Sequence, residues 1–203
     1  MSPEKLPFLS HKHILLMLKT EEGLRSLALS ALPFLKEHLS DAYLPNFKVF
    51  VTIDSEMPSI EYLVTVIRTS HERMHSLKDV YSTAPYFFTE PNYSIPALID
   101  FRSRHSPLMF GNDPSATLLT FIQGILSKAV ENINAISEWK FENISAAMKE
   151  VWKELKHPRP LIMQVLRYAL AGMEPGVGVP TIIEILGKDR TIRRIEKCRE
   201  WPD

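Results

Sequence analysis

Apolar residues recur every three or four positions along most of the chain, which is the spacing of one face of an α-helix. In the first half this pattern predicts three helices, over about residues 3–17, 20–35 and 59–80. The β-branched stretch at residues 49–53 interrupts the pattern. Because it has no evident partner strand, it predicts an extended connector. Two prolines within residues 81–93 predict an irregular packed turn.

The helical period is clearer in the second half. It predicts five helices, over about residues 114–136, 143–156, 161–171, 180–186 and 189–200. The turn residues at 111–113, followed by Pro114, mark the best candidate boundary between domains. The sequence therefore predicts an all-α fold with two helical subdomains, residues 1–111 and 112–203.

The composition and net charge of the chain exclude some classes of protein and function. Hydrophobic residues make up 45% of the chain and charged residues 24%, as in an ordinary globular protein. No apolar run has the length of a transmembrane helix, so a membrane is not an expected partner. The 24 basic residues balance the 24 acidic ones, so a nucleic-acid binder of this composition needs a local basic patch. Cys198 is the only cysteine, which excludes an intrachain disulfide, and it lies in no recognisable nucleophile motif.

One motif points to metal chemistry. Residues 71–75 read His-Glu-Arg-Met-His within the predicted helix 59–80. Two histidines four positions apart on a helix can share a zinc ion, with Glu72 as general base. Glu90 is the nearby candidate for a third ligand. The alternative is an amphipathic helix whose histidines face solvent, and the charged Arg73 within the motif favours it.

A second candidate lies between residues 163 and 188. Arg167 falls within the apolar stripe of its predicted helix, and a charge there needs a partner because its unpaired burial is costly. The partner is either a carboxylate, with Glu184 available, or a ligand such as a base edge or phosphate. The glycines of loop 172–179 permit close approach of a ligand, and the helix that follows begins with free N–H donors.

The last predicted helix carries a basic stripe at helical spacing, formed by Arg190, Arg193, Arg194 and Lys197. Two interpretations stay open. The stripe is either a solvated face paired with carboxylates of the same helix (Asp189, Glu196 and Glu200) or a contact for an anionic partner.

Three stretches near the C-terminus carry a resemblance to a known family. They are Leu-Arg-Tyr-Ala-Leu-Ala-Gly at 166–172, Pro-Thr-Ile-Ile-Glu-Ile-Leu-Gly-Lys-Asp at 180–189 and Ile-Arg-Arg-Ile-Glu at 192–196. In this order and spacing they resemble the C-terminal anticodon-binding region of glutamyl-tRNA synthetases. Residues 6–13, 68–88 and 139–155 extend the likeness over essentially the whole chain, and 68–88 is more similar to the mitochondrial branch.

The resemblance implies roles for particular residues. Arg167 would contact an anticodon base, and one arginine of the first subdomain would read the last anticodon base, with Arg73 the better match and Arg68 the second. Arg190, Arg193 and Arg194 would contact the tRNA backbone at most. Five loop residues would shape the base pockets: Gly176, Val177, Gly178, Val179 and Pro180.

The resemblance also implies a function: the chain would be the tRNA-binding part of a glutamate–tRNA ligase and a monomer. Its expected location is the mitochondrial matrix if the likeness to the mitochondrial branch holds, and the cytoplasm otherwise. The family's HIGH-type and KMSKS-type catalytic motifs are absent from the 203 residues. The chain alone is therefore expected to be non-catalytic and to hold no cofactor, with ATP and magnesium bound by a catalytic domain outside it. Whether glutamine tRNA is also bound stays open, as do two alternatives, a small zinc hydrolase and a helical protein–protein adaptor.

Overall fold

A computed structural model describes residues 5–38, 59–91, 93, 118–155, 157–172 and 176–200. Across these residues the regular structure is helical and no strand occurs. The all-α prediction is therefore confirmed. The predicted extended connector at 49–53 and the predicted domain boundary at 111–114 lie outside the described residues.

The described residues form two compact units. The first holds the chain up to Thr89 together with Gly176 and Val177, and the second holds the chain from Glu90 onward without those two residues. Two residues of the C-terminal loop thus belong to the unit built from the N-terminal helices. The boundary at residue 111 stays a prediction.

The described residues of the first unit form four α-helices. They are α1 (Lys5–Met17), α2 (Glu21–His38), α3 (Ile60–Ser70) and the single turn α4 (Val80–Thr83). Helix α2 packs against α1 and α3, and it buries Leu24, Leu27 and Leu35 almost completely. The start of α3 is capped, because the side chain of Ser59 accepts a hydrogen bond from the Tyr62 N–H at 3.2 Å.

The predicted helix over residues 59–80 is wrong in its second half, because α3 ends at Ser70. A short 3₁₀ turn (His71–Arg73) follows, and Met74 is extended, with φ −93° and ψ 124°. A second 3₁₀ turn, Leu77–Asp79, begins with a capping box between Ser76 and Asp79. Met74, at the break, is fully buried.

In the second unit, the residues that the structure describes form five helices. They are α5 (Leu118–Asn134), α6 (Phe141–Leu155), α7 (Arg159–Ala171), α8 (Val179–Leu186) and α9 (Lys188–Arg199). The helices predicted for this half of the chain are confirmed, with ends that differ by a few residues. Helix α5 packs against α6, α7 and α9, and α8 packs against α6, α7 and α9. Within the described residues, no helix combines the length and the apolar character that crossing a bilayer requires.

Glycines with positive φ end two of these helices. Gly172 closes α7 in the left-handed conformation, with φ 62° and ψ 29°. Gly187 separates α8 from α9, with φ 77° and ψ 167°. The sharp turn at Gly187 lets α9 fold back against α8.

Candidate functional site

Arg73 and the C-terminal loop meet in the first unit. Arg73 lies exposed at the end of the 3₁₀ turn after α3, and its Nη2 donates a hydrogen bond to the Gly176 carbonyl oxygen at 3.0 Å. The structure therefore brings together two groups of residues that the resemblance assigns to anticodon binding. Arg68, the second candidate named by the resemblance, contacts an acidic side chain: its Nη2 forms an exposed ion pair with Glu21 at 2.6 Å.

Tyr86 is a second partner of the loop. Its side chain is only 2% exposed, and its hydroxyl accepts a hydrogen bond from the Val177 N–H at 3.4 Å. The space beside Gly176 is filled by the same ring, because a Cβ at this position would lie 2.8 Å from Tyr86 Cζ. Tyr86 lies within the stretch predicted as an irregular packed turn, and neither the pattern nor the resemblance assigns it a role.

The histidine motif at residues 71–75 does not lie on one helix, and the zinc-site prediction therefore loses its geometric basis. His71 Nδ1 is 2.7 Å from the carbonyl oxygen of Arg68, one turn back along the chain. His75 follows the extended Met74, and its ring centroid lies 6.4 Å from that of His11. In the described part of the chain, no group of three His, Cys, Asp or Glu side chains is placed to hold a metal ion.

The remaining predicted loop residues belong to the second unit. Gly178 precedes α8 with φ −60° and ψ 149°, without a side chain to cap the helix. Val179 is almost fully buried, at 3% exposure, whereas Pro180 is half-buried. Because Gly178 has no side chain, no N-cap side chain accepts a hydrogen bond from the first N–H groups of α8. Uncapped N–H groups at the start of a helix favour an anionic ligand.

Arg167 lies in the last turns of α7, in the second unit, and is half-buried. Its neighbours along the helix, Leu166 and Tyr168, are buried, as is Leu170. Met163, one turn earlier, is half-buried like Arg167, so the apolar stripe predicted around Arg167 is buried only on the side of Leu166 and Leu170. Its contact with an anticodon base stays a prediction.

A buried ionic cluster ties the start of the second unit to its last helix. One carboxylate oxygen of Glu90, Oε1, lies 3.3 Å from Arg190 Nε and 3.2 Å from Arg193 Nη2. The other oxygen, Oε2, lies 3.3 Å from Arg194 Nε. We call Glu90, Arg190, Arg193 and Arg194 the Glu90 cluster. Because both oxygens of Glu90 face arginines, its candidate role as a zinc ligand is wrong.

The basic stripe on the last helix is mostly internal. The side chains of Arg190 and Arg194 are 1% and 0% exposed, whereas that of Arg193 is 47% exposed. The interpretation of a solvated face paired with carboxylates of the same helix is therefore wrong for these three arginines, whose acidic partner is Glu90. Burial of Arg190 and Arg194 argues against contact with a tRNA backbone, and for Arg193 that contact stays a prediction.

Backbone carbonyl oxygens around the Glu90 cluster accept further hydrogen bonds from Arg194 and Tyr93. Arg194 Nη1 donates to the Leu170 carbonyl oxygen at 2.5 Å, at the C-terminal end of α7, where the helix dipole favours a cation. The Tyr93 hydroxyl lies 2.6 Å from the Ala169 carbonyl oxygen and 3.1 Å from that of Arg194. Burial raises the pKa of Tyr93 above its usual range, so this hydroxyl stays protonated and acts as a donor.

Opposing effects set the protonation of Glu90. Its burial raises the pKa, but the attraction of Arg194, Arg190 and Arg193 outweighs this, so the pKa lies below the ordinary value of 4.5. The carboxylate is therefore charged at neutral pH. No signal of helical periodicity or spacing connects Glu90 to residues 190–194, which explains why sequence reasoning missed the cluster.

Cys198 is buried on α9, at 2% exposure. Burial raises the pKa of its thiol to about 12. A thiol of this pKa is not a nucleophile at neutral pH, because the reactive species is the thiolate. This agrees with the lack of a recognisable nucleophile motif around Cys198 in the sequence.

Comparison with known proteins decides the family. The sequence profile of the anticodon-binding domain matches residues 26–199, which is most of the chain. The chain belongs to the anticodon-binding domain family. The predicted resemblance is thereby confirmed at the level of the family.

Several proteins similar to this anticodon-binding domain are glutamate–tRNA ligases. One from Thermoanaerobacter pseudethanolicus is 27% identical over 81% of this chain and 31% of its own length. One from Clostridium tetani is 26% identical over 80% of this chain and 30% of its own length. The chain thus spans less than a third of the length of these relatives.

Solved structures show the same fold. A crystal structure of a glutamate tRNA ligase from Elizabethkingia meningosepticum matches 98% of this chain and 32% of its own, with a TM-score of 0.64 and 22% identity. A glutamate–tRNA synthetase from Elizabethkingia anophelis matches with a TM-score of 0.62, also at 22% identity. The anticodon-binding domain therefore has the fold of part of these larger proteins.

Proposed function

We propose that this chain is the anticodon-reading part of a glutamate–tRNA ligase and that its ligand is a glutamate tRNA. The family match over residues 26–199 supports an anticodon as the recognised element. The relatives named glutamate–tRNA ligases support glutamate tRNA as the molecule that carries it.

The structural observation that carries the proposal is the contact between Arg73 and Gly176. Anticodon bases in a loop are single-stranded, and proteins recognise such bases by holding them apart and contacting their edges and faces. A recognition site of this kind needs a planar donor beside backbone that a base can approach closely. The exposed guanidinium of Arg73 supplies such a donor, and it lies 3.0 Å from the Gly176 carbonyl oxygen of the C-terminal loop.

The residues divide into base contacts and supporting groups. Arg73 donates one N–H to the Gly176 carbonyl oxygen. Because a guanidinium carries five N–H groups, Arg73 has further donors for a base edge. Arg167 would contact a second base from α7. At the start of α8, the backbone N–H groups of Val179 and Thr181 would face a base or phosphate, whereas Pro180 has no N–H to donate. Arg193, whose side chain is 47% exposed, is the member of the Glu90 cluster able to meet the tRNA backbone.

The ligase reaction itself would be carried out by a catalytic domain outside these 203 residues. That domain would bind ATP and magnesium and attach glutamate to the tRNA. The absence of HIGH-type and KMSKS-type motifs from the sequence and the span of less than a third of the relatives support this division. The mitochondrial compartment and the monomeric state stay predictions, and whether glutamine tRNA is also bound stays open.

Fluorescence anisotropy with a labelled glutamate tRNA tests the proposal. We expect binding that weakens when the last two anticodon bases are changed, because base contacts carry the specificity. Measurement at 50 and 200 mM salt adds a second criterion, since phosphate contacts make the affinity fall steeply with salt. Equal binding of both tRNAs would contradict anticodon reading and leave a backbone-only interaction.

The two other functions make different predictions in the same preparation. A protein–protein adaptor would bind neither tRNA at low salt. A zinc hydrolase would copurify with close to one equivalent of zinc, and a value below about a tenth of an equivalent would end that alternative.

A further inference from the structure

We propose that Arg73 and Tyr86 are positioning residues that fix one peptide group of the C-terminal loop, the peptide between Gly176 and Val177. The carbonyl oxygen of this peptide accepts from Arg73 Nη2 at 3.0 Å, and its N–H donates to the Tyr86 hydroxyl at 3.4 Å. We call these two hydrogen bonds the 176–177 clasp.

The clasp fixes the orientation of the peptide and not merely its position. A carbonyl and the N–H of the following residue lie in one plane and point in opposite directions. Because Arg73 holds one group and Tyr86 the other, rotation of the plane breaks both hydrogen bonds together. This matters at Gly176, since a glycine has little intrinsic resistance to such a rotation.

Close packing holds the clasp in place. Tyr86 is 2% exposed, and its ring centroid lies 4.6 Å from that of Phe87, which is fully buried. The ring therefore has no room to withdraw, and an added Cβ at Gly176 would collide with it. The requirement for glycine at 176 is steric and comes from Tyr86. Gly178 differs, because a Cβ there would meet its nearest atoms at an ordinary 3.9 Å.

The clasp has an expected consequence for tRNA binding, and this second step rests on the proposed function. Residues 176–180 are the ones expected to shape the base pockets, and a loop already held in its binding conformation loses less entropy when the RNA binds. Tyr86 would therefore influence anticodon affinity although it is buried and does not touch the RNA. Arg73 would act twice, by holding the loop and by contacting a base.

The first step is tested without RNA, by amide hydrogen exchange and NMR chemical shifts at Val177 in the full chain. We expect Tyr86→Phe to speed exchange of the Val177 amide by roughly 2- to 10-fold, the range expected for loss of one hydrogen bond. Arg73→Met should do the same by freeing the other side of the peptide. Gly176→Ala should shift the Val177 resonance, whereas Gly178→Ala should leave it nearly in place.

The second step is tested by the affinity for a glutamate tRNA. We expect Tyr86→Phe to weaken binding by roughly 2- to 10-fold at unchanged helicity. The control Arg25→Met removes an exposed arginine of the same unit, paired with Glu61 at 2.9 Å, and should leave binding unchanged. In the double variant Arg73→Met with Tyr86→Phe, the losses should be less than additive, because both residues act on one peptide group.

The outcomes separate the clasp from the proposed function. Unchanged Val177 exchange in both Tyr86→Phe and Arg73→Met would overturn the clasp, whatever the RNA measurements show. Faster exchange with unchanged tRNA affinity in Tyr86→Phe would overturn its role in recognition. If the unaltered chain binds no tRNA, the proposed function fails, and the exchange experiment still decides whether the clasp exists.

Discussion

Glu90 lies against the fully buried guanidinium of Arg194, with Oε2 of the carboxylate 3.3 Å from Arg194 Nε. The other oxygen of Glu90 faces Arg190, whose side chain is 1% exposed, and Arg193. One carboxylate thus neutralises two buried arginines that lie about 100 positions later in the sequence. The stability of the second unit should therefore depend strongly on the charge of Glu90.

We expect Glu90→Gln to lower the free energy of unfolding of the second unit by about 3 kcal/mol or more, because it leaves Arg190 and Arg194 buried without a carboxylate. No tryptophan precedes residue 139 in the sequence, and Trp139 and Trp152 belong to the second unit, so tryptophan fluorescence during urea unfolding reports on that unit. Glu138→Gln is the matched control, since its exposed pair with Lys140 should contribute less than about 1 kcal/mol. Equal losses in the two variants would contradict the role assigned to the Glu90 cluster.

The same cluster predicts a pH dependence. The pKa of Glu90 in the folded protein lies below its ordinary value of 4.5, because attraction by three arginines outweighs burial. A lowered folded-state pKa contributes stability that is fully present above the ordinary value and is lost as the pH falls below it toward the folded-state pKa. The difference in unfolding free energy between the unaltered chain and Glu90→Gln should therefore shrink between pH 6 and pH 3. Urea unfolding at several pH values measures it, and a constant difference would refute this prediction.

Two glycines of the second unit should respond oppositely to alanine. Gly187 has φ 77° and ψ 167°, a region almost exclusive to glycine, so Gly187→Ala should cost about 1–3 kcal/mol although no atom lies within 4 Å of the added Cβ. Gly124 lies exposed within α5 with equally open space, and Gly124→Ala should stabilise by about 0.5–1 kcal/mol. Tryptophan fluorescence in urea compares them, and the same sign in both would contradict the backbone argument.

Cys198 should be unreactive in the folded protein. Burial raises the pKa of its thiol to about 12, so the thiolate is scarce at pH 8, and the side chain is 2% exposed. We expect a thiol-specific reagent such as DTNB to label the folded chain very slowly and to label one thiol per chain rapidly in denaturant. Rapid labelling without denaturant would show that α9 does not pack as described.

Arg167 should contribute to tRNA binding and not to folding. If its guanidinium contacts an anticodon base, Arg167→Ala should weaken binding by about 1–3 kcal/mol, with helicity unchanged. Arg159→Ala is the control from the same helix, because Arg159 is exposed and lies over the Trp152 ring at 4.8 Å. An unchanged dissociation constant for Arg167→Ala, with intact helicity, would remove Arg167 from the proposed site.

The candidate site could be predicted from the sequence only in part. Motif spacing at residues 166–196 identified the family, and the resemblance named Arg73 and the loop that the structure brings together. Tyr86 had no such signal, because nothing local distinguishes a tyrosine that contacts a loop some ninety positions away from one that fills a core.

What the sequence by itself determined is the local structure and the family. Helices follow from interactions between residues three and four positions apart, so the period of apolar residues sufficed for α1, α2 and the helices of the second unit. Only the tertiary structure decided the break after Ser70, the acidic partner of Arg190 and Arg194, and the steric need for Gly176. Each of these depends on residues brought together by the path of the whole chain, where packing and the cost of burying charge outweigh local preference.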